Sequence, residues 1–149
     1  MKILTTILMI AVLLLECAAC TSQPSTPTIT FEDDRCTYSG PDSIQADRFT
    51  FQWIMNSQQY AENNVFAIQV EEGQSVDDLV GTNLKAKTPW VSSLRQEWSI
   101  QPGPWTKELT WDLTDSARFQ PGPVYFLCAH QINDEIIIYG VAGPVETEK

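Results

Sequence analysis

Histidine and basic residues are scarce in this chain of 149 residues. With His130 as the only histidine, a metal centre that needs two imidazole ligands is excluded within one chain. Nine Lys and Arg face nineteen Asp and Glu, the formal net charge is -10, and no basic cluster offsets it. We therefore expect no nucleic-acid binding, because such a surface repels phosphate backbones. Anionic lipid would not attract it either, so membrane attachment requires a covalent or apolar anchor.

Long hydrophobic runs are also lacking, apart from one at the amino terminus. Lys2 precedes a mostly apolar run from Ile3 to Leu15, which is too short to span a bilayer comfortably. A positive residue followed by such a run is typical of a signal peptide. The sequence therefore predicts a leader over residues 1–19 and an extracytoplasmic location for the remainder.

The end of this leader carries two small residues, Ala18 and Ala19, directly before Cys20. This arrangement resembles the lipobox of bacterial lipoproteins, although Cys17 occupies the position where leucine is usual. The resemblance implies cleavage before Cys20, a diacylglyceryl group on its sulfur and often an acyl chain, such as palmitate, on its amine. Two chains give stable anchoring. The alternative is ordinary cleavage near Ala18 or Ala19, which would release a soluble protein.

Residues 20–28 read CTSQPSTPT, and the Ser, Thr and Pro in this stretch cannot pack a core. They predict a lipid-anchored tether that holds the following domain off the membrane. Beyond the leader and Cys20, the only cysteines are Cys36 and Cys128. An exported location favours a disulfide between them. Closing so long a loop would contribute roughly 4 kcal/mol of stability.

Alternating hydrophobicity dominates residues 29–149 and predicts one all-β domain. The alternation is clearest in RFTFQWIM and WTKELTWDL, whereas VYFLCAH is apolar on both faces, as in a central covered strand. Pro-Gly turns separate many short strands, and VETEK ends the chain as a polar tail. One short helix is predicted from a cap at Ser75 to about Leu84, with Val76, Leu79 and Val80 inward. The pattern favours a two-sheet antiparallel Greek-key sandwich.

The order of these elements resembles the cupredoxin fold of plastocyanin and azurin, and more closely the copper-free cupredoxin-like domains of bacterial lipoproteins. The similar segments are Cys36 to Pro41, Trp105 to Leu113, Pro121 to Cys128, and Tyr139 to Val141. The last two resemble the regions that supply the copper-ligand cysteine and methionine. A blue-copper centre needs two His, a Cys thiolate and usually Met. Here Val141 replaces Met, Asn63-Asn64 lies where the first His would be, and no metal or other cofactor is expected. His130 is predicted to lie at the surface or at a strand end.

Five tryptophans are present, and three of them, Trp53, Trp105 and Trp111, fall on alternating faces typical of a core. Trp90 and Trp98 lie in the loop-rich stretch TPWVSSLRQEWS. One interpretation is an exposed aromatic surface for a sugar or a partner protein. The other is a small cluster that seals one end of the sandwich.

Neither the scattered carboxylates nor the single histidine forms a recognisable catalytic set. We therefore expect a non-enzymatic module of the cell envelope that binds or supports another component, either a protein or a glycan. The alternative is a copper-handling or electron-transfer relative of the cupredoxins, which the shortage of histidine disfavours.

Overall fold

A computed structural model describes residues 26–32, 34–58, 62–84, 90–114 and 119–148. The predicted leader (1–19), Cys20 and the tether as far as residue 25 lie outside the described residues. Among those that are described, no helix is long and apolar enough to cross a membrane. Nine strands appear in them: β1 (Thr28–Glu32), β2 (Arg35–Ser39), β3 (Ser43–Gln45), β4 (Phe49–Met55), β5 (Asn63–Val70), β6 (Val91–Ser99), β7 (Trp105–Trp111), β8 (Gly122–Ile132) and β9 (Glu135–Glu148).

The strands form two sheets, which confirms the predicted all-β sandwich. One sheet has the order β2-β1-β4-β7 and the other the order β3-β9-β8-β5-β6. Most neighbours are antiparallel, but β1 pairs with β4, and β3 with β9, in parallel. The purely antiparallel prediction was wrong at these two pairs. Between β2 and β4 the chain crosses to the other sheet to form β3, so β4 returns along the direction of β1.

The main core fills the space between the sheets, where period-2 alternation turns the apolar side chains of each strand inward. In β4, every second residue is buried: Phe49, Phe51, Trp53 and Met55. Strand β8 is buried on both faces, as predicted, because Phe126 and Cys128 face the main core while Leu127 and Ala129 face a second cluster. That second cluster lies on the outer face of the five-stranded sheet.

The two ends of the sandwich are distinct. At the end that we call proximal, the chain enters β1 at Thr28, and the backbone N–H groups of Leu113 and Ala46 donate to the carbonyls of Ala46 and Glu148. At the distal end, Phe31 of β1 stacks on His130 of β8, with ring centroids 4.5 Å apart. The start of β1 is therefore at the opposite end of the domain from His130.

The predicted disulfide is present and joins the sheets directly. Cys36 of β2 and Cys128 of β8 are bonded, and their Cα atoms are 5.5 Å apart. Facing sheets ordinarily lie about 10 Å apart. The closer approach here requires Gly140 of β9, the register partner of Cys128, because a Cβ at that position would overlap the backbone nitrogen of Cys36.

On the opposite side of the sandwich, a polar contact joins two edge strands. Lys107 of β7 donates from Nζ to Oε1 of Glu97 in β6, at 2.6 Å. Both side chains are partly exposed, so this ion pair contributes less than about 1 kcal/mol. The two sides of the sandwich are therefore held very differently: one by a covalent bond between the sheets, the other by a solvated ion pair.

Two segments depart from the sequence-based prediction. The predicted helix is a single 3-10 turn, Val76–Leu79, in which Ser75 makes no side-chain cap and Val80 is exposed. Gly81, at φ +79°, ends this turn and donates its N–H to the carbonyl of Ile138.

The predicted polar tail is instead part of β9, which runs to Glu148. The short strand β3, which the alternation does not indicate, pairs with this last part of β9. Val145 and Thr147 are buried there, because the pairing covers one face of a segment whose sequence looks solvated.

Replacing Gly140 by alanine should destabilise the fold by about 1–3 kcal/mol, because the added methyl group pushes β2 and β9 apart. Chemical denaturation of the oxidised protein measures this loss. Gly140→Val, with a larger side chain at the same position, should cost more than Gly140→Ala. An alanine variant as stable as the parent would show that the sheets do not need this close approach.

Candidate functional site

The outer face of the five-stranded sheet carries the most unusual surface among the described residues. Strand β6 is the edge of this sheet, and its alternation turns Leu94, Gln96 and Trp98 outward. The antiparallel register places Trp98 beside Asn64 of β5, and Gln96 beside Phe66. Trp98 is 61% exposed and Leu94 is 42% exposed, which is unusual for large apolar side chains on a regular strand.

The part of this face formed by β9, β8 and the proximal end of β5 is covered, and Asn83 bridges to Ile137 near the distal end of β9. Leu79 from the 3-10 turn is fully buried there, and Val76, Leu84, Trp90 and Val91 pack against the same cluster. The backbone N–H of Glu71 also donates to the carbonyl of Trp90, which fixes the start of β6. The segment after β5 thus acts as a cover for half of the sheet and leaves the region around Trp98 open.

A surface pocket of about 260 Å³ lies in this open region, at the distal end. It is bounded by the ends of β5, β6 and β8 and by the residues that adjoin them. The lining residues are Glu62, Asn63, Asn64, Gln96, Trp98, Ser99, Ile100 and Gln131. Trp98 and Ile100, both more than 60% exposed, give it an apolar rim, whereas the other lining side chains are polar.

Hydrogen bonds fix the polar groups of this pocket. Gln96 donates from Nε2 to Oδ1 of Asn64 at 2.8 Å, and Asn63 donates from Nδ2 to the carbonyl of Gln101 at 3.0 Å. The backbone N–H of Gln131 donates to the carbonyl of Glu62 at 3.0 Å. The pocket walls are therefore held by contacts among three adjacent strands.

The two tryptophans that were predicted to form one exposed surface lie in different environments. Trp98 is exposed beside the pocket, whereas Trp90 is half-buried in the second cluster, so the two do not form one aromatic surface.

The three tryptophans predicted for the core pack there. Trp53 and Trp111 are buried, and Trp105 packs edge-on against Trp53, with ring centroids 4.7 Å apart. The pocket residues Asn64, Gln96, Ile100 and Gln131 were not predicted, because only strand register brings them together.

A second surface pocket, of about 320 Å³, lies at the proximal end. Leu113, Phe119 and Pro121 give it a largely apolar lining, and Glu148 is the only carboxylate among its described lining residues. It lies where the chain enters β1, and residues 115–118, next to it in the sequence, are outside the described part of the chain. The distal pocket combines exposed Trp98 with amide groups that hydrogen bonds hold in place, and it is therefore the stronger candidate.

The residues that resemble a copper site do not form one. The sulfur of Cys128 is bonded to Cys36 and is not available as a thiolate. Within the described residues, no group of three or more His, Cys, Asp or Glu side chains converges in a way that could hold a metal ion. The residues present therefore do not fit a mononuclear blue-copper centre.

His130 is buried near the end of β8, so its prediction as a surface residue was wrong. Its ring stacks on Phe31 and meets Tyr139 edge-on, with centroids 4.9 Å apart. Burial lowers the pKa of His130 to about 4, although a hydrogen bond to the backbone of Glu62 acts in the opposite direction. The imidazole is therefore neutral at physiological pH and belongs to the core.

Comparisons with models of known protein families, with curated proteins and with solved structures found no match to this chain. The resemblance to lipoproteins and to the cupredoxin fold therefore stays a prediction.

The buried imidazole predicts a specific pH dependence of stability. An unfolded histidine takes up a proton near pH 6.5, whereas folded His130 does so only near pH 4. Between these values the unfolded state binds more protons, so stability falls as the pH falls. This group alone contributes a loss of up to about 3 kcal/mol, complete below pH 4.

Unfolding of the parent and of His130→Phe should be compared by urea titration from pH 7 to pH 4. Phenylalanine keeps a ring between Phe31 and Tyr139 but cannot take up a proton. The parent should lose more stability than the variant over this range, since the carboxylates common to both cancel in the comparison. Parallel curves would contradict the assignment.

Proposed function

We propose that this protein is a lipid-anchored, extracytoplasmic binding module whose distal pocket contacts another component of the cell envelope. The observation that carries the proposal is the position of the pocket. It lies at the distal end of the five-stranded sheet, whereas the chain enters β1 at the proximal end. An anchor at Cys20 would therefore leave the pocket directed away from the membrane.

The amino-terminal sequence supports the anchor. The short apolar run, the small residues before Cys20 and the Ser/Thr/Pro tether of residues 20–28 together are typical of a processed lipoprotein. An oxidised Cys36–Cys128 pair is consistent with a location outside the cytoplasm, where disulfides persist.

The composition of the pocket supports binding in preference to catalysis. Among the described residues, its lining offers one carboxylate, Glu62, and one hydroxyl, Ser99, without the further acid or base that would complete a catalytic set for hydrolysis or group transfer. Exposed Trp98 and Ile100 are side chains that contribute strongly to binding when a partner covers them. No observation favours the copper-handling alternative, because Cys128 is committed to the disulfide.

The location of the protein can be tested by fractionating cells that express the full-length chain. The parent should sediment with membranes and carry an acylated mature amino terminus at Cys20, as measured by mass spectrometry. Cys20→Ala should remove the acyl groups and release the protein from the membrane fraction. A parent with an unmodified mature amino terminus would refute the anchor.

The binding surface can be tested in the same cells by placing a photocrosslinking amino acid at Ile100, on the rim of the pocket. The matched control is Glu72, which is exposed on the segment that follows the proximal end of β5. We expect one reproducible envelope component to crosslink at position 100 and not at position 72. Equal labelling at both positions, or none at either, would contradict the proposal.

A further inference from the structure

The distal pocket combines an aromatic ring, several amide groups and only one charge, and this combination indicates a class of ligand. We propose that the pocket binds an uncharged carbohydrate, through a sugar ring stacked on Trp98. This inference depends on the proposed binding function and names the ligand class for the same pocket. The pocket, at about 260 Å³, is smaller than the roughly 300–1,000 Å³ typical of sites for drug-sized ligands. It is therefore suited to a small part of a glycan chain.

Trp98 offers a flat, rigid surface. Its backbone is paired with Asn64 within the β5–β6 ladder, so the residue is fixed to the sheet and not to a loop, yet the side chain is 61% exposed. The face of an indole ring is electron-rich and attracts the weakly positive C–H groups on the apolar face of a sugar ring. Ile100, 62% exposed, extends the same apolar rim.

The polar groups beside the ring match hydroxyl groups, which both donate and accept hydrogen bonds. The bond from Gln96 to Asn64 uses one donor and one acceptor, and a primary amide has capacity for further bonds of both kinds. Asn63 and Gln131 bring the number of amide side chains in the lining to four, and Ser99 adds a hydroxyl. Donors and acceptors that lie beside an apolar surface suit a ligand that is itself apolar on one face and polar at its edge.

The charge of the pocket restricts the ligand further. Within the part of the chain that the structure describes, Glu62 is the only ionisable lining residue, and the whole chain carries a net charge of -10. A phosphate- or carboxylate-bearing polymer would therefore meet repulsion without a cation to compensate it. A cationic ligand could also use an aromatic ring and a carboxylate. The amides favour the neutral sugar, because an ammonium group needs acceptors alone whereas the pocket also presents donors.

The test uses the full-length protein purified in detergent and defined probes. Neutral trisaccharides of glucose, galactose, mannose and N-acetylglucosamine are titrated while tryptophan fluorescence and heat are recorded, with choline chloride and trilysine as cationic probes. At least one trisaccharide should bind, and Trp98→Ala should weaken that binding at least about tenfold, whereas Trp98→Phe, which keeps a ring, should weaken it less.

The matched control is Leu94→Ala. Leu94 lies on the same strand and the same face and is exposed, but it does not line the pocket. This variant should bind the trisaccharide as the parent does. A binding loss equal to that of Trp98→Ala would overturn the proposed site, and binding of choline or trilysine without any trisaccharide would overturn the ligand class.

Periodate treatment, which cleaves the vicinal diols of sugars, separates this inference from the function on which it depends. In cells that carry the photocrosslinker at Ile100, treatment of the envelope before irradiation should abolish the crosslink when the sugar that binds in the trisaccharide titration carries a vicinal diol. If the crosslink persists and no trisaccharide binds, the binding function stands and the carbohydrate inference falls. If neither a crosslink nor binding is seen, both fall.

Discussion

The disulfide between Cys36 and Cys128 is the constraint on which the rest of this structure depends. It brings β2 of one sheet onto β8 of the other, with the two Cα atoms 5.5 Å apart. That approach is sterically possible because Gly140, the neighbour of Cys128 across the ladder, has no side chain to block Cys36. Covalent bonding and a missing Cβ thus act together at one side of the sandwich.

This constraint also determines what the interior can do. With Cys36 and Cys128 oxidised, the described interior keeps no thiolate for metal binding or nucleophilic chemistry. His130 is enclosed by Phe31 and Tyr139 and stays neutral, so its imidazole contributes packing at physiological pH. Two buried indole nitrogens, those of Trp53 and Trp111, have no hydrogen-bond partner within the described residues, which is a further sign of a densely apolar core. The surface is therefore a better candidate for a functional site than the interior.

The outer surface of the five-stranded sheet has a covered part and an exposed part, and the exposed part is the candidate binding surface. The chain after β5 covers the side formed by β9 and β8 with Leu79, and half-buried Trp90 packs against the same cluster. The distal end of the β6 edge, around Trp98 and Ile100, stays open although these two side chains are apolar enough to be covered. An apolar surface left exposed at the end furthest from the chain entrance is the feature that most requires an explanation outside the monomer.

The sequence predicts the parts of this fold that depend on local alternation. Strand β4 and the end of β7 bury the residues that period 2 selects, and β8 is buried on both faces because a strand in the middle of its sheet is covered by both core clusters. Beyond the leader and Cys20, the two cysteines could be paired by elimination once export was inferred.

The features that the sequence did not reveal depend on contacts between distant segments. Strand β3 has three residues and exists only because the end of β9 lies beside it. The burial of His130 depends on Phe31 from the opposite sheet. The pocket depends on the register between β5 and β6, which sets Asn64 beside Trp98. No local pattern encodes that register, since it is fixed by how the whole face is buried.

The most direct test of this account is the oxidation state of Cys36 and Cys128 in protein recovered from intact cells under thiol-blocking conditions. Peptide mapping without reduction should find one linked fragment that contains both residues, and neither sulfur alkylated. If both cysteines are recovered alkylated from folded protein, the sheets are not joined covalently, and the claim that a disulfide makes the interior chemically inert is wrong.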